Sequence, residues 1–206
     1  DTGALKLTSA GGMAVQRVVA ERWKARTGLP IIEGYGMTET SPVVIASPLD
    51  IAEWTGSIGL PIPSTQVVIL DDEEHELAVG EVGEICVRGP QVMPGYWNHP
   101  EETAKVFTRE GWLRTGDLGS MDERGYFRIT DRKKDMIVVS GFKVYPNQIE
   151  DVVALHPGVA EVAAIGVPDE RSGEIVKIIV VRQDATLTEQ ALLDHCRKHL
   201  TGYKMP

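Results

Sequence analysis

Seven residues, Gly34-Tyr35-Gly36-Met37-Thr38-Glu39-Thr40, set two glycines around a tyrosine and follow them with a hydroxyl, a carboxylate and a second hydroxyl. Gly34 and Gly36 let backbone approach a ligand closely or turn sharply. Tyr35 has a flat apolar ring that can stack on a purine. Thr38 can donate to a phosphate oxygen, and Glu39 is one hard anionic ligand of the kind Mg²⁺ takes beside substrate phosphates. The same composition also suits a Gly-rich turn with Tyr35 packed into a core. A second cluster is Arg114-Thr115-Gly116-Asp117-Leu118. Asp117, expected at the end of a strand, could accept both hydroxyls of a ribose or close an ordinary Gly-Asp turn. A third is Asp131-Arg132-Lys133-Lys134, either a solvated linker or a place where Arg132 presents its fork of donors to ribose or phosphate oxygens. The chain contains no GxxxxGK[ST] loop, no GxGxxG and no GxSxG nucleophile elbow, so a nucleotide would be held by other parts.

The elements that must position these residues follow from patterning. Met13 to Arg26 reads as an amphipathic helix with Val15, Val18, Val19 and Trp23 on one face, ended by Gly28 and Pro30. Leu29 to Glu33 reads as a short buried strand leading into the Gly34–Thr40 stretch as a loop. That order is expected of an open α/β sheet, with ligands beyond the carboxyl ends of the strands. After Pro61 and Pro63 the chain becomes β-rich, with strands expected at 66–70, 84–88, 112–114 and 126–130 and a helical turn at 101–107. The acidic run 71–76 reads as a solvated hairpin tip. A strand over 136–140 leads to Gly141. Pro146 opens a helix with Ile149, Val152 and Val153 as its stripe, followed by strands at 159–167 and 175–182 and a helix N-capped by Thr188.

The predicted fold class is α/β, with a β-rich subdomain followed by a small α+β unit; the resemblance given below implies that these are the C-terminal part of a large mixed α/β domain and a small lid domain. The expected boundaries are 1–132 for the large domain (1–62 α/β, 63–132 β-rich) and 133–206 for the lid. The chain starts without Met and stops within what reads as a segment, which suggests a piece of something larger.

Bulk properties narrow the function classes. The 206 residues are 42% hydrophobic and 25% charged, enough apolar content for a real core. A net charge of −9 disfavours a nucleic-acid partner, which wants a basic patch. Cys86 and Cys196 make no disulfide framework, so a cytoplasmic location is expected. His195, Cys196 and His199 share a helix, but further zinc ligands are not evident.

The ordered set SAGGM, GYGMTET, GEICVRG, GWLRTGDLG, ITDRKKDMI, SGFKVYPNQIE and GYKMP resembles the adenylate-forming superfamily of acyl-CoA synthetases, luciferases and peptide-synthetase adenylation domains. Within it the chain is most similar to bacterial long-chain fatty acid–CoA ligases. The resemblance implies ATP, a fatty acid and coenzyme A as substrates, Mg²⁺ as cofactor, and a two-step reaction through an acyl-adenylate. It implies Tyr35 on adenine, with Gly34 and Gly36 shaping the base pocket and Gly11 and Gly12 beside it. Thr38 falls at the α-phosphate, Glu39 at the metal, and Asp117 and Arg132 at the ribose. Lys134 is implied as the hinge before the lid, and Gly141 as lining the coenzyme A path. A fatty substrate implies possible peripheral contact with the inner membrane. An aryl-acid (4-coumarate type) ligase and a non-catalytic nucleotide-binding module are the competing expectations. The family's phosphate loop and adenylation lysine fall outside the sequence, so the isolated chain is expected to be inactive; oligomeric state is not legible.

Overall fold

Backbone pairing around the Gly34–Gly36 triplet organises the first half of the molecule. In the computed structural model, which describes residues 2–206, strand β1 (Ser9–Ala10) runs parallel to β2 (Ile32–Gly36), and helix α1 (Arg17–Thr27) makes the crossover between them. Such a parallel pair requires a long connection, usually a helix. β2 then pairs antiparallel with β3 (Val43–Ala46), with Gly34 opposite Ala46 and Tyr35 opposite Ile45, and β3 pairs with β4 (Leu60–Pro61).

Two expectations shift here. The helix starts at Arg17 rather than Met13, because Gln16 is extended and the Val15 N–H is spent on the Glu33 carboxylate at 3.3 Å. It ends as expected at Gly28, which is left-handed (φ 76°) and donates its N–H to Lys24. Its apolar face is weaker than the spacing suggested: Ala20 is buried and Val19 is exposed. The strand lies at 32–36 rather than 29–33, so Gly34, Tyr35 and Gly36 are strand residues, not a loop. Glycine usually weakens a strand, and here it marks close backbone approach. A Cβ on Gly36 would sit 1.7 Å from the Pro42 carbonyl oxygen. Gly36→Ala is therefore expected to lower stability by more than about 2 kcal/mol, read as a lower urea midpoint. An unchanged midpoint would mean the backbone yields at no cost.

The β-rich part is a four-stranded sheet in the order β5 (Gln66–Leu70), β6 (Gly83–Arg88), β7 (Leu113–Met121), β8 (Phe127–Arg132), with α2 (Pro100–Val106) between β6 and β7. β7 is far longer than the expected 112–114 strand and runs through Thr115-Gly116-Asp117, so Asp117 lies within a strand. Tyr35, Val44, Ile45 and Ile58 pack with Ile69, Ile85, Val87 and Phe127 in one apolar cluster.

The chain divides into two compact units, Asp1–Ile129 and Thr130–Pro206. In the second, a sheet in the order β10-β9-β12-β11 is built from β9 (Ile137–Val139), β10 (Phe142–Val144), β11 (Val159–Asp169) and β12 (Gly173–Arg182). Helices α3 (Pro146–Ala154) and α4 (Glu189–His199) supply Ile149, Val153, Leu192 and Cys196 to its core. Pro146 opens α3, and the Thr188 hydroxyl accepts the Ala191 N–H at 3.2 Å to cap α4. Among the described residues no helix is long and apolar enough to cross a membrane.

Candidate functional site

In the first unit the two motifs that could hold a nucleoside meet in one hydrogen bond. The Tyr35 hydroxyl donates to Asp117 Oδ2 at 2.8 Å, across 82 residues of sequence. The Tyr35 ring is 7% exposed and belongs to the apolar cluster. The ring packs as core, one of the two readings left open for this tyrosine, while its tip reaches a carboxylate. Burial, and then the Asp117 charge, hold the phenol well above its ordinary range, so it acts as a hydrogen-bond donor at any physiological pH.

Asp117 lies within an irregularity in the β6–β7 pairing, where the register shifts between Glu84 and Cys86. Gly116 is left-handed there (φ 75°), a conformation that costs glycine nothing. Thr115 Oγ1 donates to the Ile85 carbonyl at 2.8 Å and accepts the Asp117 N–H at 3.1 Å.

Downstream of Tyr35, Thr38, Glu39 and Thr40 form a 3-10 turn and divide the work. Thr40 is fully buried, and its hydroxyl is spent on Met37 and Pro42 carbonyls. Thr38 is exposed and Glu39 is half-buried, so these two face outward as a donor and an anion. Tyr96, which patterning did not single out, donates its hydroxyl to Glu39 Oε1 at 2.8 Å, and the Met93 N–H binds the Glu39 carbonyl at 2.8 Å. The charge-bearing bond to Glu39 raises the Tyr96 phenol above its usual range. Among the described residues no group of three or more His, Cys, Asp or Glu converges. One carboxylate held by a phenol fits Mg²⁺, which takes one or two carboxylates and completes its shell with water and substrate phosphates.

Gly11 lies against β2: a Cβ there would come within 3.0 Å of the Gly34 carbonyl oxygen. Gly12 follows in a left-handed conformation (φ 87°). Glu33, beneath the triplet, was also missed. It is 6% exposed and accepts from the Val15 N–H and, at 2.7 Å, from Trp54 Nε1. Burial raises its carboxyl against the pull of those two donors. Gly11, Gly34, Tyr35, Gly36 and Asp117 therefore converge, with Thr38 and Glu39 on the turn that follows.

Arg132, Lys134 and Gly141 belong to the second unit. Arg132 is exposed at the end of β8, and Lys134 is exposed in the 3-10 turn Lys133–Asp135. Asp131, part of the charge run, is 5% exposed; its Oδ2 accepts the Asn147 N–H at 2.9 Å, placing an anion at the N-terminus of α3. Ser140 and Gly141 form the two-residue turn between β9 and β10, with Val139 opposite Phe142 and both turn φ values positive, 51° and 84°. Beside it, Phe142 stacks on Tyr203 with ring centres 4.8 Å apart. On α4, His195 Nε2 lies 2.9 Å from the Val152 carbonyl oxygen, and Cys196 is fully buried in the core.

The sequence model for AMP-binding enzymes matches residues 1–97, and that for the AMP-binding enzyme C-terminal domain matches residues 148–206. The chain belongs to the AMP-binding enzyme family. Long-chain-fatty-acid–CoA ligase from Escherichia coli O157:H7 is 58% identical over 206 residues, which is 100% of this chain and 36% of that relative. Feruloyl-CoA synthase from an Amycolatopsis species is 42% identical over 208 residues, spanning 100% of this chain and 42% of the relative. Among solved structures, ATP-bound MatB from Rhodopseudomonas palustris superposes with a TM-score of 0.93 at 40% identity, covering 97% of this chain and 40% of that one. MenE, the o-succinylbenzoate CoA synthetase of Bacillus subtilis solved with its acyl-adenylate intermediate, gives 0.89 at 32% identity, covering 99% and 42%. The chain thus spans little more than a third of the length of the fatty-acid ligases it matches.

Proposed function

We propose that the chain is part of an ATP-dependent, AMP-forming acyl-CoA ligase that activates a long-chain fatty acid as its acyl-adenylate and passes the acyl group to coenzyme A. The observation that carries this reading is the Tyr35–Asp117 hydrogen bond, which joins a base-stacking ring to a ribose-binding carboxylate. Adenine is placed against Tyr35, in a pocket shaped by Gly34 and Gly36 and bordered by Gly11 and Gly12. Asp117 accepts from the ribose hydroxyls. Thr38 donates to the α-phosphate. Glu39 holds Mg²⁺, which supplies charge neutralisation at the phosphates. Little covalent chemistry is asked of the side chains, so the work is positioning and electrostatic stabilisation. Lys134 serves as the hinge before the small lid domain, and Gly141, without a side chain, leaves room for the coenzyme A arm. A long-chain substrate partitions into bilayers, so the same reading puts the protein in the cytoplasm with peripheral contact at the inner membrane.

A second reading, an aryl-acid ligase, is favoured by the 42% identity to feruloyl-CoA synthase. The identities of 53% and 58% to two fatty-acid ligases weigh the other way.

The test is ATP–pyrophosphate exchange in the longer protein that carries this sequence, stimulated by palmitate or by 4-coumarate, with ATP or 2′,3′-dideoxy-ATP. Palmitate-dependent exchange is expected, with dideoxy-ATP poorer in kcat/KM by about a hundredfold for two lost charge-assisted hydrogen bonds. Exchange driven by 4-coumarate alone would move the protein to the second reading. Equal use of the two nucleotides would remove Asp117 from the ribose.

A further inference from the structure

Asp117 owes its place to an irregular piece of strand, and one buried carboxylate grips that piece. Glu84 on β6 is 4% exposed. Its Oε1 accepts the Gly116 N–H at 3.1 Å, and its Oε2 accepts from Arg114 Nη1 at 3.2 Å. Those donors lie one and three residues before Asp117, on either side of Thr115. The ladder itself cannot do this job. Cys86 pairs with Arg114 and Glu84 with Leu118, so the ladder register shifts across the three β7 residues between them. A strand residue without its ladder bond needs another acceptor, and an unpaired buried N–H is costly. Glu84 supplies that acceptor from its side chain, with a charge that strengthens the bond.

Arg114 does not depend on Glu84 for neutralisation. Its Nη2 pairs with Glu74 Oε1 at 2.7 Å, so removing Glu84 leaves the guanidinium with an anion. Nor does Glu84 reach Asp117 through Thr115, whose hydroxyl is held by the Ile85 carbonyl. What Glu84 fixes is the left-handed Gly116 peptide, and hence the direction in which the Asp117 side chain leaves the strand toward Tyr35.

We propose that Glu84 is a positioning residue for nucleotide selection: by binding the Gly116 amide it sets the Asp117 carboxylate for a vicinal diol. The proposal rests on the ribose reading of Asp117 given above. Glu84 has no contact with the nucleotide in this scheme, and its role is confined to discrimination at the sugar.

The experiment compares Glu84→Gln, Glu84→Leu and Asp117→Asn in the longer protein, reading kcat/KM for ATP against 2′,3′-dideoxy-ATP. It adds hydrogen exchange of the Gly116 amide in the same three proteins. Glu84→Gln keeps an oxygen for Gly116 and is expected to retain most of the preference for ATP. Glu84→Leu keeps bulk without an acceptor and is expected to lose the preference about tenfold, with the Gly116 amide exchanging at least about tenfold faster. A merely stabilising role would lower both nucleotides' kcat/KM together and leave their ratio alone. Full preference in Glu84→Leu while Asp117→Asn loses it overturns the Glu84 assignment and leaves the ribose reading intact. If Asp117→Asn also keeps its preference, the ribose reading fails. The Gly116 amide then decides whether Glu84 holds the strand, and an unchanged exchange rate in Glu84→Leu rejects that too.

Discussion

In the longer protein that carries this sequence, Glu39→Gln is expected to lower kcat/KM for the proposed adenylation by about a hundredfold, and raising Mg²⁺ should recover part of the loss. The size follows from removing one preorganised electrostatic group where phosphate charge develops, which typically costs a factor of a hundred to a thousand. The substitution is nearly isosteric and should spare the fold. The Glu39 side chain is half-exposed, its backbone carbonyl still receives the Met93 N–H, and a glutamine oxygen can still accept from Tyr96. What disappears is the negative charge and with it the affinity for a hard dication. Tyr96→Phe tests the support of that charge. A partner that orients a metal ligand typically contributes about tenfold or more in metal affinity, so the Mg²⁺ midpoint should move up by that factor at little cost in saturating rate. ATP–pyrophosphate exchange across a Mg²⁺ titration reads both. Normal exchange by Glu39→Gln at every Mg²⁺ concentration would take the metal away from this carboxylate.

The turn that carries Glu39 also shows what patterning can and cannot see. The residue types in Gly34–Thr40 were sufficient to single out the stretch. Which of its two hydroxyls is structural was not legible, because that depends on Thr40 being swallowed between Met37 and Pro42. The strand was misplaced by three residues for a related reason. Two glycines look like the end of a strand, yet Tyr35 and Ile45 pair across the sheet and Gly36 is there for close contact. Tertiary pairing overrode local propensity. The second unit was read more closely, since α3 and α4 carry their start signals, Pro146 and Thr188, in the sequence itself. Asp117 is an intermediate case. Its chemistry was visible, but its position within a long strand was not, because β7 has Gly116 and Gly119 inside it and reads as turns. The residues missed altogether, Glu33, Glu84 and Tyr96, act through partners 18 to 57 residues away, and no local pattern marks a side chain whose donor is that remote.

The turn Lys133–Asp135 is where a second large effect is expected. β8 runs unbroken to Arg132, and a strand held in a sheet cannot absorb a rotation, so the proposed hinge falls just beyond it. Arg132 is extended (φ −82°, ψ 136°) and so is Met136 (φ −61°, ψ 128°), which leaves the three residues between them as the place where backbone angles can change. Lys134 is the middle one, and its side chain is exposed, so a substitution there disturbs no core. A 3-10 turn has φ near −60°, which proline matches, and proline also restricts the residue before it. Lys134→Pro should therefore fix φ at Lys134 and disfavour the helical region that Lys133 occupies in the present turn, confining this link to few settings. Adenylation and thioester formation place different groups around one acyl-adenylate, so a hinge confined to one setting should support one half-reaction and starve the other. The expected signature is a loss of at least about a hundredfold in one step against less than about tenfold in the other, on the scale of misplacing a catalytic group by an ångström. Pyrophosphate exchange reads the first step, and coenzyme A–dependent discharge of pre-formed acyl-adenylate reads the second. Equal losses in both would mean the turn is a structural link and the hinge lies elsewhere. An unchanged rate in both would mean that the backbone angles at Lys134 do not move during turnover.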